Sequence, residues 1–384
     1  MDNLKSKLDL KRSLQEQQNF IPPFCPYPDC QYHQTPCDKF YCRNGVYQIK
    51  RFPYVNQRYR CKGCLRIFCY SRFKLDFKEK QFGLNDPIFS LCVRGISNRE
   101  IGRLLKVSEN LVRGRIAKLM RWILLKQEFY LQEVKIDEAI VYDGVENFAY
   151  SQFDPNNINQ AIGKQSLFVY DFNYSPINRK GRMSERQKQL KSKLEEKHGK
   201  YDPRSIRKQT TKILKRLHQK TINKTLVLYS DEHFHYRDSV QIDLKEIHIA
   251  HHTTSSKKYR NYKNNLFAVN NFDMLLRHQL AAFKRETIAF SKHPIGMIDK
   301  YVLFMGYRNF MRPRFIKEHK TDPEAHLESA AMKIGLTRKI LSFKEFFSEK
   351  IFPAHVQLNE DWKDYYRREL KCSRQKIVGY HLAI

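Results

Sequence analysis

The sequence lacks a long apolar run and is poor in acidic residues. No apolar segment reaches the roughly twenty residues that a membrane-spanning helix needs, and residues 1–5 (MDNLK) lack the apolar core of a signal peptide. Forty acidic residues stand against 71 Lys and Arg, which gives a formal net charge of +31. Such an excess is typical of proteins that bind polyanions. We therefore expect an intracellular protein whose leading partner is nucleic acid; an anionic membrane surface is the competing polyanion, but no segment is suited to span a membrane.

Cysteine is scarce outside one region, because seven of the nine lie within residues 25–69. This clustering argues against a disulfide framework spread over the chain and favours metal ligation in a reducing compartment. Two pairs, Cys25 with Cys30 and Cys61 with Cys64, are separated by hairpin-forming sequence. They supply the four thiolates that a tetrahedral structural Zn²⁺ needs. The sequence therefore predicts a zinc ribbon.

The other cysteines of this region leave one alternative open. Cys37, Cys42 and Cys69 do not fit a single four-ligand site with the first set. Together with His33 they could form a second zinc site, but thiols near a zinc module are often bystanders or alternative ligands. The sequence does not decide between these two interpretations.

Two helices joined by a tight turn are predicted after the ribbon. Ser97 and Ser108 are suited to cap them, and apolar residues at helical spacing continue to about residue 125. The polar side of the second helix carries Asn110, Arg113, Arg115 and Lys118. In a basic chain this pattern is typical of a helix-turn-helix whose last helix enters the major groove of DNA. The other interpretation is a basic helical spacer.

From residue 134 the pattern changes to that of β-strands, followed by a helix-rich remainder. Strands are predicted at 134–141, 146–150, 166–172, 225–229 and 246–249, which indicates an α/β fold with a mixed sheet. Residues 179–220 contain sixteen Lys and Arg against four acids. This excess predicts a basic helical hairpin that is inserted in the sheet and faces an anion.

Asp143 and Asp231 each follow a predicted strand. Carboxylates at two strand ends can converge on Mg²⁺ or Mn²⁺ ions about 4 Å apart, an arrangement that phosphoryl transfer requires. A third acid usually completes such a site. The helix that begins near residue 268 offers Asp273 in its first turns, and Glu286 lies farther along.

Four motifs, taken in order, resemble those of bacterial insertion-sequence transposases of the insertion-sequence-one type. They are RCKGCLRIF at 60–68, DGVENF at 143–148, SDEH at 230–233 and RETIAFS at 285–291, so the resemblance covers nearly the whole chain. It implies an RNase-H-like catalytic domain that binds two divalent ions, with Asp143 and Asp231 as the first and second ligands. It also implies a DDE-type transposase that binds double-stranded DNA and cleaves and transfers its strands. We expect such a protein to act as a homo-oligomer in the cytoplasm, associated with the nucleoid and with no membrane.

The third metal ligand departs from the pattern of that family. Matching the family's last helix to residues 287–291 places Asn270 where a glutamate is expected, and a neutral amide is a poor Mg²⁺ ligand. Asp273 lies one helical turn further on, on roughly the same face. Glu286 lies sixteen residues beyond Asn270, about 24 Å along an unbroken helix. We therefore prefer Asp273 and keep Glu286 as its rival.

The sequence predicts five segments and one principal function. The segments are an N-terminal arm at 1–23, a zinc ribbon at 24–80, a helix-turn-helix at 81–132, an RNase-H-like domain at 133–312 with a basic helical insertion at 179–220, and a C-terminal helical appendage at 313–384. The predicted function is metal-dependent DNA cleavage and strand transfer. The alternative is a catalytically inactive, transposase-derived DNA-binding regulator, and a more distant one is a structure-selective nuclease on the same fold.

Overall fold

The computed structural model describes residues 2–50, 54–149, 151–255, 257–284, 290–291 and 293–370. Its α-helices are α1 (Asp2–Asn19), α2 (Gln31–Gln34), α3 (Asn85–Val93), α4 (Asn98–Leu104), α5 (Glu109–Leu131), α6 (Glu185–His198), α7 (Ser205–Lys220), α8 (Phe234–Asp238), α9 (Phe267–Gln279), α10 (Pro294–Phe310), α11 (Ala330–Lys333), α12 (Phe343–Phe346) and α13 (Glu360–Arg367). Its strands are β1 (Tyr41–Gln48), β2 (Val55–Cys61), β3 (Ile67–Cys69), β4 (Ile140–Phe148), β5 (Pro155–Gly163), β6 (Val169–Pro176), β7 (Leu226–Ser230) and β8 (Ile249–Thr253). Among these described helices, none combines the length and the apolarity that crossing a bilayer requires.

The chain divides into two compact units. The described residues up to 87, together with 342–357, form the first unit, and the described parts of 88–341 and of the chain from 358 onward form the second. The helices α4 and α5 therefore belong to the same unit as the five-stranded sheet.

The first unit contains an antiparallel sheet in the order β1-β2-β3. Its core is aromatic: Tyr59 of β2 is fully buried and stacks on Phe68, with 5.6 Å between the ring centroids. The helix α1 packs on β2, where the Gln17 amide donates to the Val55 carbonyl (3.2 Å) and accepts from the Gln57 N–H (2.9 Å). The predicted N-terminal arm is thus a helix joined to the ribbon sheet.

A segment distant in sequence completes the aromatic core of the first unit. Phe352 packs edge-on against Phe24 (5.1 Å between centroids) and lies 5.6 Å from the ring of Phe73. Residues 342–357 therefore belong to the first unit.

The second unit is built on a five-stranded sheet in the order β6-β5-β4-β7-β8. The strands β4, β5 and β6 are antiparallel neighbours, whereas β7 is parallel to β4 and β8 is parallel to β7. The predicted α/β fold with a mixed sheet is confirmed. Two local predictions were wrong. One continuous strand, β4, replaces the strands predicted at 134–141 and 146–150, and β5 was not predicted at all.

The basic segment 179–220 forms two helices, as predicted, but only α6 has the character of an insertion. The helix α7 packs on β5 and β6 and buries Ile213, Leu214 and Leu217. Its Arg216 donates to the buried Asp171 of β6 at 2.7 Å. A basic helix can belong to the core because its apolar stripe faces the sheet while most of its charges face solvent or acidic partners.

The outer edge of β6 is closed by side chains of α13. The Trp362 indole N–H donates to the Phe172 carbonyl (3.0 Å), and the Tyr365 hydroxyl accepts from the Tyr174 N–H (2.9 Å). An edge strand otherwise exposes a row of unpaired backbone groups. The helix α13 therefore belongs to the core of the sheet unit, and the prediction of residues 313–384 as an appendage was wrong for this helix.

The predicted pair of helices is present with its predicted caps. The Ser97 and Ser108 hydroxyls each accept the N–H three residues on, at 3.2 Å. Gly102 is needed in α4 because a Cβ at this position would lie 2.8 Å from the Val107 carbonyl oxygen. The helix α5 extends to Leu131, six residues beyond the predicted end, and packs on α10.

Candidate functional site

The four predicted zinc cysteines form one cluster in the first unit. The Cys25 and Cys64 Sγ atoms lie 3.7 Å apart, and those of Cys30 and Cys61 lie 3.6 Å apart. All four Sγ atoms lie within 4.8 Å of one another. A tetrahedron with Zn–S bonds of about 2.3 Å has edges of about 3.8 Å. The thiols therefore stand at the spacing that a tetrahedral metal ion requires.

The surroundings of the four thiols affect their ionisation unequally. Burial raises the pKa of Cys25 and of Cys30 above the usual thiol value. Burial also opposes ionisation of Cys64, but hydrogen bonds from Arg66 outweigh it and lower the pKa of Cys64 to about 7. The Arg66 guanidinium is itself fixed by Asp29 at 2.6 Å. Because metal ions bind thiolates, binding to the cluster releases protons from the buried cysteines.

The alternative second zinc site is not assembled. Cys37 and Cys42 are exposed, and the Cys69 Sγ lies 3.2 Å from the Ser71 Oγ. The buried His33 directs its Nδ1 at the Cys25 carbonyl oxygen (2.6 Å). Across the part of the chain that the structure describes, no second set of three or more metal-binding side chains comes together.

The sheet register places Asp143 and Asp231 side by side. Tyr142 of β4 pairs with Ser230 of β7 in the last step of their parallel ladder, and the next residue of each strand is an aspartate. The sequence predicted Asp143 at a strand end, but β4 continues to Phe148 and only its pairing with β7 stops there. The two carboxylates therefore lie where a neighbouring strand ends, an arrangement common in α/β sites.

The third predicted acid faces the same point from α9. This helix packs across β4 and β5. Asp273 accepts a hydrogen bond from the Gln160 amide, and Gln160 lies directly opposite Asp143 in the β4–β5 register. The Gln160 Oε1 in turn accepts a hydrogen bond from the Tyr301 hydroxyl at 2.9 Å. Sequence reasoning missed Gln160, because its strand was not predicted.

The electrostatics of Asp143 reflect this convergence. Burial, followed by the negative charges of Asp273 and Asp231, raises the pKa of Asp143 to about 7. The Gly144 N–H, 2.7 Å from the Asp143 Oδ1, and the Tyr236 hydroxyl, 3.4 Å from it, act in the opposite direction. Within the described residues, neither Asp143 nor Asp231 pairs with a Lys or Arg. A bound cation would relieve this repulsion.

The three carboxylates are more widely spaced than a cage for a single ion. Among the described residues, only the cysteine cluster gathers three or more ligand atoms within 4.8 Å of one another. Asn270 lies half-buried on α9, one turn before Asp273. The rival ligand Glu286 lies outside the described residues.

Two histidines contact the aspartates or their neighbours. The backbone N–H of His233 donates to the Asp231 Oδ1 at 3.0 Å, and the His251 ring Nε2 lies 2.8 Å from the Ser230 Oγ. Burial lowers the pKa of both imidazoles below the usual value. They are therefore neutral at pH 7 and add no positive charge to the carboxylates.

The raised pKa of Asp143 predicts how the stability of the protein depends on pH. The folded protein keeps Asp143 protonated up to pH about 7, whereas an unfolded Asp ionises near 3.8. Folding therefore opposes ionisation, and this group lowers the free energy of unfolding as pH rises through that window. In buffers free of Mg²⁺ and Mn²⁺ we expect Asp143→Asn to be more stable than wild type by about 2 kcal/mol at pH 8, roughly half of the full shift because the side chain is partly exposed.

Urea unfolding of both proteins at pH 5 and pH 8 measures this difference, and the gain at pH 5 should be much smaller. If Asp143→Asn differed from wild type by the same free energy of unfolding at pH 5 and pH 8, folding would not raise the pKa of Asp143.

The DNA-facing residues predicted on α5 do not all lie on its polar side. Asn110 and Arg113 are exposed, and Lys118 is half-buried. Arg115 is only 6% exposed, so it does not lie on the exposed face of α5 with Asn110 and Arg113. Arg115 lies on α5 three residues after the buried Val112 and directly before the buried Ile116. It therefore belongs to the side of the helix that packs inside the unit.

The chain matches no protein-family model and no curated protein.

Proposed function

We propose that the chain is a DNA transposase of the DDE type. It binds the ends of its element and uses divalent ions to cleave and transfer DNA strands. The observation that carries the proposal is the convergence of Asp143, Asp231 and Asp273 from β4, β7 and α9. We place the enzyme in the cytoplasm at the nucleoid, acting on double-stranded DNA as a homo-oligomer.

The topology of the sheet supports an RNase-H-like catalytic domain. Three antiparallel strands are extended on one side by two parallel strands, which gives the order β6-β5-β4-β7-β8. The central strand β4 carries Asp143, and its parallel neighbour leads directly into Asp231. The resemblance described from the motifs implies this fold and these two ligands.

The central position of Asp143 indicates how the three acids divide their roles. Both other carboxylates raise its pKa, while the three together are too widely spaced for one ion. Asp143, Asp231 and Asp273 would therefore hold the Mg²⁺ or Mn²⁺ ions, with Asp143 as the acid that both others influence. When bound, such ions activate the attacking oxygen and stabilise the leaving oxygen of an in-line displacement.

The remaining residues of the site hold these acids in place. Gln160 orients Asp273, and the Gly144 N–H orients Asp143. The carboxylates act as metal ligands and not as nucleophiles, so water and then a 3′-hydroxyl attack the phosphodiester, and no covalent protein intermediate forms. The cysteine cluster would hold a structural Zn²⁺, whose role is to fold the ribbon unit.

The proposal is tested with a plasmid that carries the gene and its flanking DNA. The full-length protein is incubated with this plasmid in Mg²⁺, in Mn²⁺ and without divalent ions, and the 5′ and 3′ ends of the products are mapped. We expect metal-dependent cuts at fixed positions that flank the gene, followed by joining of the 3′ ends to new sites. Binding at these positions with no metal-dependent product would favour the DNA-binding regulator.

The exposed face of α5 predicts how two neighbouring arginines differ. Arg113→Gln should weaken duplex binding and lower the slope of log K against log salt by about 0.9, the value for one lost phosphate contact. Its melting temperature should stay unchanged, because the side chain is exposed. Arg115→Gln removes a buried guanidinium and should lower the melting temperature while leaving the salt slope intact.

Both quantities are measured on the same preparations, by anisotropy titration over a salt series and by thermal unfolding. If the two variants lost the same DNA affinity at the same salt slope, α5 would not be oriented as the structure has it.

A further inference from the structure

Besides the basic residues of α5 and α6, the second unit carries another group of exposed bases. It consists of residues 257–263 and 315–320 and is called here the basic aromatic surface. One exposed acid, Glu318, stands among its bases. The exposed bases are Lys257, Lys258, Arg260, Lys263, Lys317 and Lys320. A local excess of this size favours a polyanionic partner.

Aromatic stacking joins the two segments into one surface. The His319 ring lies 4.2 Å from that of Phe315, in a stacked arrangement, and 5.7 Å from that of Tyr262. It also lies 6.2 Å from the ring of Phe267, the first residue of α9. The loop before α9 and the segment after α10 are therefore packed together.

Hydrogen bonds fix the shape of the loop. The Lys258 N–H donates to the Ser255 carbonyl (3.1 Å), and the Asn264 N–H donates to the Asn261 carbonyl (3.0 Å). The Asn264 side-chain amide donates to the Tyr259 carbonyl at 2.9 Å. These bonds hold the backbone of Tyr259 while leaving its ring outside.

The tyrosines of this surface are unusually exposed. Tyr259 is 83% exposed and Tyr262 is 38% exposed. A tyrosine ring buries a large apolar area when it packs against another group. The exposed rings of this surface do not gain that stabilisation within the protein. Exposed aromatic rings among lysines and arginines are the combination that binds unpaired nucleotides, by stacking on bases and by attraction to phosphates.

The helix α9 links the basic aromatic surface to Asp273, because its first residue, Phe267, lies next to His319. Phe267 precedes Asp273 by six residues, about 9 Å along α9. The Lys164 Nζ donates to Asn265 (3.0 Å) and lies 3.7 Å from the ring centroid of Tyr229, two residues before Asp231. One positive group, Lys164, therefore contacts both the residues before α9 and the strand that leads into Asp231.

We propose that the basic aromatic surface binds single-stranded DNA. Bases stack on Tyr259 and Tyr262, the surrounding lysines and arginines bind the phosphates, and the strand leads toward Asp231 and Asp273. A duplex keeps the faces of its bases stacked inside, so it offers the tyrosine rings no base face to stack on. This inference rests on the proposed function for the destination of the strand, whereas the binding itself does not need catalysis.

The test compares single-stranded and duplex DNA on the full-length protein. A labelled strand of about twenty nucleotides, longer than the usual site of one binding domain, and its duplex are titrated by fluorescence anisotropy. We expect Tyr259→Ala with Tyr262→Ala to weaken single-strand binding at least about tenfold, since each lost stacking contact is of that order, and to change duplex binding less than about twofold. Phe129→Ala, at another exposed aromatic position, is the matched control and should change neither.

A second pair of variants separates charge from stacking. Four glutamine substitutions at Lys257, Lys258, Lys317 and Lys320 should weaken single-strand binding and reduce its salt slope. Four at the exposed Lys135, Lys224, Lys245 and Lys363, which lie outside the basic aromatic surface, should not. Equal losses on single-stranded and duplex DNA in the tyrosine variant would make the surface a duplex site, and no loss on the single strand would make it a solvated face. Either result overturns the inference.

The outcome is independent of the cleavage experiment. Asp231→Asn should bind the single strand as tightly as wild type. If wild type bound single-stranded DNA through the tyrosines but cleaved no DNA, the proposed function would be contradicted and the single-strand site would stand. If wild type cleaved DNA but its single-strand binding did not depend on the tyrosines, the proposed function would stand and the single-strand site would be contradicted.

Discussion

Asp143→Asn and Asp231→Asn should each lower metal-dependent DNA cleavage by about a hundredfold or more, the loss typical when one transition-state stabilising group is removed. Asparagine keeps the shape of aspartate but removes the charge that holds a divalent ion. Single-turnover cleavage of an end-labelled duplex measures the effect, and duplex binding should stay within about twofold of wild type because no DNA-reading residue changes. Asp137→Asn, at an exposed position shortly before β4, is the matched control and should cleave normally.

The same assay separates the rival third ligands. Asp273→Asn should fall with the first two variants, because Asp273 faces Asp143 and raises its pKa. Glu286→Gln should retain most of the activity. Full activity in Asp231→Asn would remove the basis of the enzyme assignment. If Glu286→Gln lost activity while Asp273→Asn kept it, Glu286 and not Asp273 would be the third metal ligand.

Removing the cysteine cluster should unfold the ribbon unit. Structural Zn²⁺ in small modules contributes about 10–16 kcal/mol of apparent binding free energy at pH 7, and that energy also stabilises the fold. The variant Cys61→Ser with Cys64→Ser should therefore lose one equivalent of zinc, and protease should cleave it readily within residues 24–80. Metal analysis and limited proteolysis of the full-length protein measure both changes.

The exposed thiols provide the control for this experiment. Cys37→Ser with Cys42→Ser should keep its zinc and its protease resistance, since neither thiol belongs to the cluster. Zinc content that fell only in this control would place the metal elsewhere. Unchanged zinc in the Cys61 and Cys64 variant would contradict the ribbon.

Local signals in the sequence predicted much of the candidate site. Two cysteine pairs of close spacing predicted the cluster, because a tetrahedral ion needs two short loops that face each other. The serines at positions 97 and 108 predicted helix starts because a hydroxyl can satisfy a free backbone N–H. Asp143 and Asp231 were found from the apolar runs that precede them, and Asp273 from its place on the next helix.

Features that depend on long-range packing were not predictable. The strand β5 contains Asn156, Asn157 and Asn159, residues that disfavour strands, and only the sheet around it determines its conformation. Gln160 was missed with it. The burial of Arg115 depends on α5 packing inside the sheet unit, and the return of residues 342–357 to the ribbon core depends on contacts with residues nearly 300 positions earlier.

The central claim is that the three aspartates hold divalent ions for phosphodiester chemistry. Anomalous diffraction from crystals of the full-length protein soaked in MnCl₂ tests it most directly. The account predicts manganese peaks about 2.0–2.2 Å from carboxylate oxygens of Asp143 and Asp231, with Asp273 at or next to a second peak. Crystals that show no manganese between Asp143 and Asp231, while zinc is present at the cysteine cluster, would contradict it.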